Sequence, residues 1–372
     1  MEAGARSSAD CLRAIVAHGL PGTMLELAAR PLDDAAWAAL LRQVAGQRVA
    51  GHLVRALADG ALPATAAQTD EATALHTGAM GLALKLERTM LRAVAALEGA
   101  GVDYRVLKGS AVAHSSYPAP WLRSFGDVDL LVPPATFDEA VTALLADGCR
   151  RDRPQLRAGF DRRFAKCVTL RTADGHEIDL HRTFVMGPFG LTVELASLFV
   201  AAEPFTVGGR EVLALDPASR FLHACYNAAL GDVPPRLSGL RDVAELLLHA
   251  DLDVEAVLDR AAAWRGQVVV ARAVGLAWDT FALADAIPLS VWAQRYQPDA
   301  RERRALAPYL GSRRTWEAKA LASLRVIPGV ADKVAFLRAL TVPERAVIEA
   351  RPTGGHAGRW ARGRRDLRKR RR

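Results

Sequence analysis

The run Gly126-Asp127-Val128-Asp129-Leu130-Leu131-Val132 alternates acid and aliphatic before turning wholly apolar. A strand's two-residue side-chain period sends Val128 and Leu130 to a core and both carboxylates to the opposite face. The design recurs in His176-Glu177-Ile178-Asp179-Leu180-His181, where Ile178 and Leu180 alternate with Glu177, Asp179 and His181. If the two strands are neighbours, Asp179 joins Asp127 and Asp129 in one acidic cluster.

Around these strands the chain reads as α+β, a mixed sheet with helices flanked by helical regions at both ends. Residues 1–100 are Ala- and Leu-rich with helical spacing, taking in Leu40, Leu41 and Val44, then Leu82, Leu84, Leu86, Met90, Leu91, Val94 and Leu97. Gly99 and Gly101 stop the last of these helices. A central unit over 101–215 then places strands at 102–107, 127–132, 164–171 and 176–183, with helices from about 110 and over 135–147. Asp174-Gly175 between the last two strands favours a tight hairpin. Helical spacing returns over 216–349, with Phe221, Leu222, Cys225, Tyr226 and Ala229 on one stripe. The interval of Trp264, Trp278 and Trp292 marks core positions.

The strand at 102–107 runs into Lys108-Gly109-Ser110, and a Gly-Ser turn opening a helix presents free backbone N–H groups to phosphate. Three carboxylates packed without counter-charge repel one another, a cost a divalent cation in the gap removes. Two Mg²⁺ or Mn²⁺ ions held there align an attacking oxygen and a leaving pyrophosphate. Lys108 and Arg123 are candidate phosphate neutralisers, Arg123 being the better bidentate partner. Glu177, His181 and Asp242 are candidates for a supporting shell, with His181 orienting Asp179, touching substrate or equally serving as a hydrogen-bonded structural histidine. Arg241-Asp242 equally suits ion pairing one helical turn away.

These residues resemble the polymerase-beta-like nucleotidyltransferase superfamily, whose pattern is a Gly-Ser turn, an Asp-x-Asp strand and a later strand carboxylate. A bacterial nucleotidyltransferase family is more similar still. It shows a Leu-Lys-Gly turn, a Tyr-Pro, an Arg shortly before Gly-Asp-x-Asp, and a late Asp-Leu-His. Here these are Leu107-Lys108-Gly109, Tyr117-Pro118, Arg123, Gly126-Asp127-Val128-Asp129 and Asp179-Leu180-His181. The similarity extends over roughly residues 95–250, with His223, Asn227 and Arg241-Asp242 inside it. The resemblance implies that Gly109 and Ser110 bind the phosphates of an NTP, by default ATP. It implies that Asp127 and Asp129 hold the metal and that Asp179 completes the triad.

The net charge of +8 suggests nucleic acid until it is located. From Arg351 onward ten Lys and Arg face Asp366 alone, so the charge belongs to a tail at 350–372 and the remainder is near neutral. That tail, with Pro352, Gly354 and Gly355, lacks the apolar surface to order itself and is expected to be disordered. It is a candidate contact for nucleic acid, an anionic membrane surface or another acidic partner. No run reaches the length of a membrane span, and MEAGARSSAD lacks a signal pattern, so the expected location is the cytoplasm. Cys11, Cys149, Cys167 and Cys225 show no CxxC spacing and read as buried free thiols.

Three functions stay open at this point. The first is a Mg²⁺-dependent transferase that moves a nucleoside monophosphate to a small molecule, peptide or protein. The second directs that transfer to RNA or a tRNA end, as a toxin would, and is disfavoured by the neutral body. The third is a non-catalytic nucleotide-binding or interaction module.

Overall fold

A computed structural model describes residues 8–249, 252–284, 287–311 and 314–349; the expected basic tail lies outside the described residues. The first four helices are α1 (Ser8–Ala17), α2 (Asp34–Gln47), α3 (Ala50–Ala58) and α4 (Ala66–Gly99). Asp33 caps α2 by accepting from the Ala36 N–H, and the helix closes on Arg48 in the left-handed region, φ 58°. A reciprocal capping box between Thr65 and Gln68 opens α4, whose 34 residues stop before Gly101 at φ 67°. Two expected core leucines fail here: Leu82 is 40% and Leu84 63% exposed. Leu86, Met90, Val94 and Leu97 take the buried face, and positions two apart on a helix cannot all share it.

The centre of the chain runs β1 (Arg105–Val106), α5 (Ser110–Ser116), β2 (Val128–Leu131), α6 (Phe137–Ala146), β3 (Arg150–Arg151), α7 (Phe160–Phe164) and β4 (Cys167–Arg171). It continues with β5 (Glu177–His181), α8 (Pro188–Thr192), β6 (Ala202–Val207) and β7 (Arg210–Leu215). These strands form one seven-stranded sheet in the order β3-β4-β5-β2-β1-β7-β6. β2 lies parallel to β5 and antiparallel to β1, while β1 is parallel to β7. The expected β4–β5 hairpin forms, with Gly175 at φ 83° in its turn. Two parts went unforeseen: β3, and the β6–β7 hairpin that turns through Gly208 and Gly209.

Beyond the sheet lie α9 (Pro217–Leu230), α10 (Leu237–His249), α11 (Val254–Ala263), α12 (Gln267–Phe281) and α13 (Pro288–Arg295). They are followed by α14 (Ala300–Leu306), α15 (Trp316–Ser323), α16 (Val330–Thr341) and α17 (Arg345–Glu349). No described helix is long and apolar enough to cross a membrane.

Alternation along β2 decides where the site falls. Val128 and Leu130 pack with Ile178, Leu180, Val168 and Leu170 against α4 and α6, each large aliphatic contributing roughly 1.5–3 kcal/mol by leaving water. Leu131 points to the other face and joins Leu107 and Leu215 in a core shared by α1–α3 and α9–α13. Trp264 and Trp278 are buried there as expected, whereas Trp292 is half-buried against Tyr296. Asp127 and Asp129 share the face of Leu131, beside a cleft left between the sheet and the helices.

Candidate active site

In the parallel pairing of β2 with β5, Asp129 stands directly opposite Asp179. One carboxylate oxygen from each of Asp127, Asp129 and Asp179 lies within 4.8 Å of the others. Asp129 is the deepest, at 4% exposure, and Asp127 and Asp179 are half-buried on the cleft. Thr169 on β4 donates to Asp179 Oδ1 at 2.6 Å. Of the roles open to His181, the geometry matches the hydrogen-bonded structural one, and its partner is Asp129. Its Nε2 lies 2.8 Å from Asp129 Oδ1, with Nδ1 3.2 Å from the Thr183 carbonyl, so the buried ring braces Asp129 against the strand end.

A counter-charge that the sequence did not disclose also stands in the cluster. Lys108 Nζ is 3.2 Å from Asp129 Oδ2 and 3.7 Å from Asp127 Oδ2. Lys108, expected to neutralise phosphate, has its ammonium on the carboxylates instead in this structure. Burial works against the charge on Lys108, but Asp129 and Asp127 outweigh it and raise its pKa. Burial likewise pushes Asp129 up, and the nearby Lys108, His181 and Lys166 reverse this, holding its carboxyl well below the usual range. Three carboxylates converging on a cationic centre form the oxygen-rich donor set that a hard divalent cation takes.

Arg48, at the end of α2, is a further site residue that the sequence reading missed. Its guanidinium packs on the backbone of Gly126, where an added Cβ would lie 2.6 Å from Cζ, and its Nη1 is 3.8 Å from Asp127 Oδ1. A side chain at 126 would displace that guanidinium. The signal for this contact was the glycine before Asp-x-Asp, although nothing local names the partner. Gly109 caps α5 with φ 60°, a conformation that favours glycine.

Other expected contacts are spent elsewhere. Ser110 Oγ donates to Glu87 Oε1 on α4 at 3.1 Å, and the same oxygen takes His114 Nε2 at 2.7 Å. The Ser110 hydroxyl is thus turned onto α4, and only its backbone remains for a phosphate. Arg123 gives Nε and Nη2 to the two oxygens of Asp242 at 2.9 and 2.7 Å and Nη1 to the Ser124 carbonyl. Tyr117 also donates to Asp242 Oδ1 at 2.9 Å. Arg123 lines the cleft, but its guanidinium is clamped to the buried carboxylate of Asp242. Arg241 does pair one turn away, with Glu245. Glu177 takes Arg171 at 2.9 Å on the solvated strand surface, outside the carboxylate cluster.

Cys167 departs from the buried-thiol reading: it is half-buried beside Asp179 and His181. Its thiol is pushed up to about 12 by burial, with Lys166 opposing and Asp179 adding to the rise.

The cleft measures about 370 Å³ and gathers cations from several segments: Arg48, Lys166, Arg236, Arg314 and Lys319 join Lys108 and the Asp242-paired Arg123 on its walls. Lys319 lies 4.7 Å over the Tyr309 ring, and burial together with Arg314 and Lys166 lowers its pKa. Like charges gathered this closely are relieved by an anion. The near-neutral charge of the body is an average that conceals this basic wall, and it no longer argues against a polyanion here.

A family model described as "Uncharacterised nucleotidyltransferase" matches residues 33–282. Among solved structures, the chain resembles an antigenic nucleotidyltransferase-like protein from Paracoccidioides brasiliensis. The identity is 14% and the TM-score 0.29, over 49% of this chain and 92% of that one. None of the curated proteins matches.

Proposed function

The chain belongs to the uncharacterised nucleotidyltransferase family, and from that premise we propose a divalent-metal-dependent enzyme that moves a nucleoside monophosphate from an NTP to an acceptor. The observation that carries this reading is the convergence of Asp127, Asp129 and Asp179 within 4.8 Å beside a cation-lined cleft. When bound there, Mg²⁺ or Mn²⁺ supplies Lewis-acid polarisation of the α-phosphate and neutralises developing charge.

The chain's own groups do the rest. Asp127, Asp129 and Asp179 hold the cation, His181 fixes the rotamer of Asp129, and Thr169 does the same for Asp179. Lys166, Arg314 and Lys319 receive the β- and γ-phosphates, a role the sequence reading had given to Lys108, Gly109, Ser110 and Arg123. The backbone of Gly109 and Ser110 remains the second phosphate contact. Asp179, the carboxylate braced from β4, takes the proton of the acceptor as its oxygen or nitrogen attacks the α-phosphorus. The bond from that phosphorus to the β-phosphate oxygen breaks, and pyrophosphate leaves with the electron pair.

A small molecule, peptide or protein acceptor is the first reading, with ATP the default donor. An RNA end is the second, favoured by the basic wall, which a nucleic-acid acceptor would share with the triphosphate.

Incubation of the protein with each α-labelled NTP, Mn²⁺ and cell extract tests the reaction class. Labelled product that disappears in Asp129→Asn and Asp179→Asn supports it, and transfer that survives both substitutions overturns it. Nuclease or protease treatment of the product separates RNA, protein and small-molecule acceptors.

A further inference from the structure

We infer that Lys108 is the resident counter-cation of the carboxylate cluster, which a divalent cation must displace and which the phosphates of the donor then hold. The inference rests on the metal-dependent reading above and concerns how that site is loaded.

Asp129 Oδ2 and Asp127 Oδ2 lie 3.2 and 3.7 Å from Lys108 Nζ, so the ammonium sits against the oxygens a metal needs. A divalent cation bonds carboxylate oxygens at about 2.0–2.6 Å, which would leave two positive centres sharing the same acids. Coulomb repulsion at such separations forces one of them out. Lysine is suited to yielding, because it is a point charge on a flexible four-carbon stem and makes no fixed fork. Its side chain retains 22% exposure and lines the cleft that also holds Lys166 and Lys319, so an outward rotation keeps it in the phosphate region.

Lys108 therefore has two arrangements, on the carboxylates or on an anion. Metal favours the second by taking its partners, and the donor favours it by offering new ones. Metal and nucleotide then bind cooperatively through one side chain, and the coupling is reciprocal.

The test is Mn²⁺ binding without nucleotide, followed by electron paramagnetic resonance, in the wild type, Lys108→Met and Asp129→Asn. A second measurement is the affinity for a fluorescent, non-hydrolysable ATP analogue at saturating Mn²⁺. Lys108→Met is expected to bind Mn²⁺ about tenfold more tightly than wild type, within the range of ordinary site couplings, and to bind the analogue more weakly. Loss of a merely structural lysine would weaken both. Lys108→Gln and the rise in melting temperature on adding Mn²⁺ keep the comparison usable if Lys108→Met folds poorly. Mn²⁺ affinity unchanged or reduced in both Lys108 variants, with binding still lost in Asp129→Asn, overturns the inference alone. Binding that Asp129→Asn leaves intact overturns the metal reading beneath it.

Discussion

Arg123 and Asp242, 119 residues apart, are joined by two parallel hydrogen bonds at 2.9 and 2.7 Å, with both side chains buried. The pair fastens α10 to the segment that leads into β2, and so fixes the helical half of the molecule against the strand that bears Asp127 and Asp129.

Removing one partner leaves a buried charge without compensation. Asp242→Ala is expected to cost about 3–5 kcal/mol in urea unfolding, and Arg123→Met combined with Asp242→Leu to cost less than the two single changes together. Unchanged stability in Asp242→Ala, with weakened nucleotide binding, would instead return Arg123 to the phosphates.

Gly126 and Arg48 are predicted to act as one unit. Gly126→Ala puts a methyl group into the space of a flexible guanidinium, which can move at small cost in stability, within about 0.5 kcal/mol. Transfer should fall in Gly126→Ala and in Arg48→Ala, and the double variant should be no worse than the poorer single one. Additive losses in kcat/KM would show that the contact has no part in catalysis.

The cation wall is open to a test by salt. Lys319→Glu should raise the KM for the donor by about tenfold or more while leaving the fold intact, and should weaken its dependence on ionic strength. A change in kcat alone would place Lys319 at the reacting atoms rather than on the phosphates.

Buried histidine sets the acid limb of stability. His52 is held well below its ordinary value by burial first, then by Arg241, Arg123, His18 and Arg55. Its folded form stays neutral while the unfolded chain takes up a proton below about pH 6.5. Stability should therefore fall as pH drops from there, by up to about 1.4 kcal/mol per pH unit. His52→Gln should flatten the profile of melting temperature between pH 6.5 and 5, and an identical slope would assign the loss to other groups.

Much of the carboxylate site was legible because it rests on local alternation: Asp129 and Asp179 sit in strands, and Asp127 stands just before β2, where neighbouring aliphatic residues write out the period. What is not periodic was not legible. Arg48, Lys166 and the Arg314/Lys319 pair lie on three different segments, and no spacing announces that they meet. Ser110 and Arg123 stood at the right places in the motif, yet Glu87 and Asp242, distant in sequence, claim their side chains. The β6–β7 hairpin did leave a trace, in Gly208-Gly209 between the alternating Phe205, Val207 and Val212, Ala214. Lys108 was seen, but its charge was assigned to phosphate because only the fold shows how near it comes to Asp129.

Arg48 and Lys319 come from opposite ends of the described chain, and between them the sheet contributes the acids. A nascent or partly unfolded copy that had already formed the strands would own the carboxylates but not both walls. On the phosphate role proposed for these cations, such a chain would carry the acids without the wall that receives the donor. The cleft is thus complete only when segments about 270 residues apart in sequence have come together.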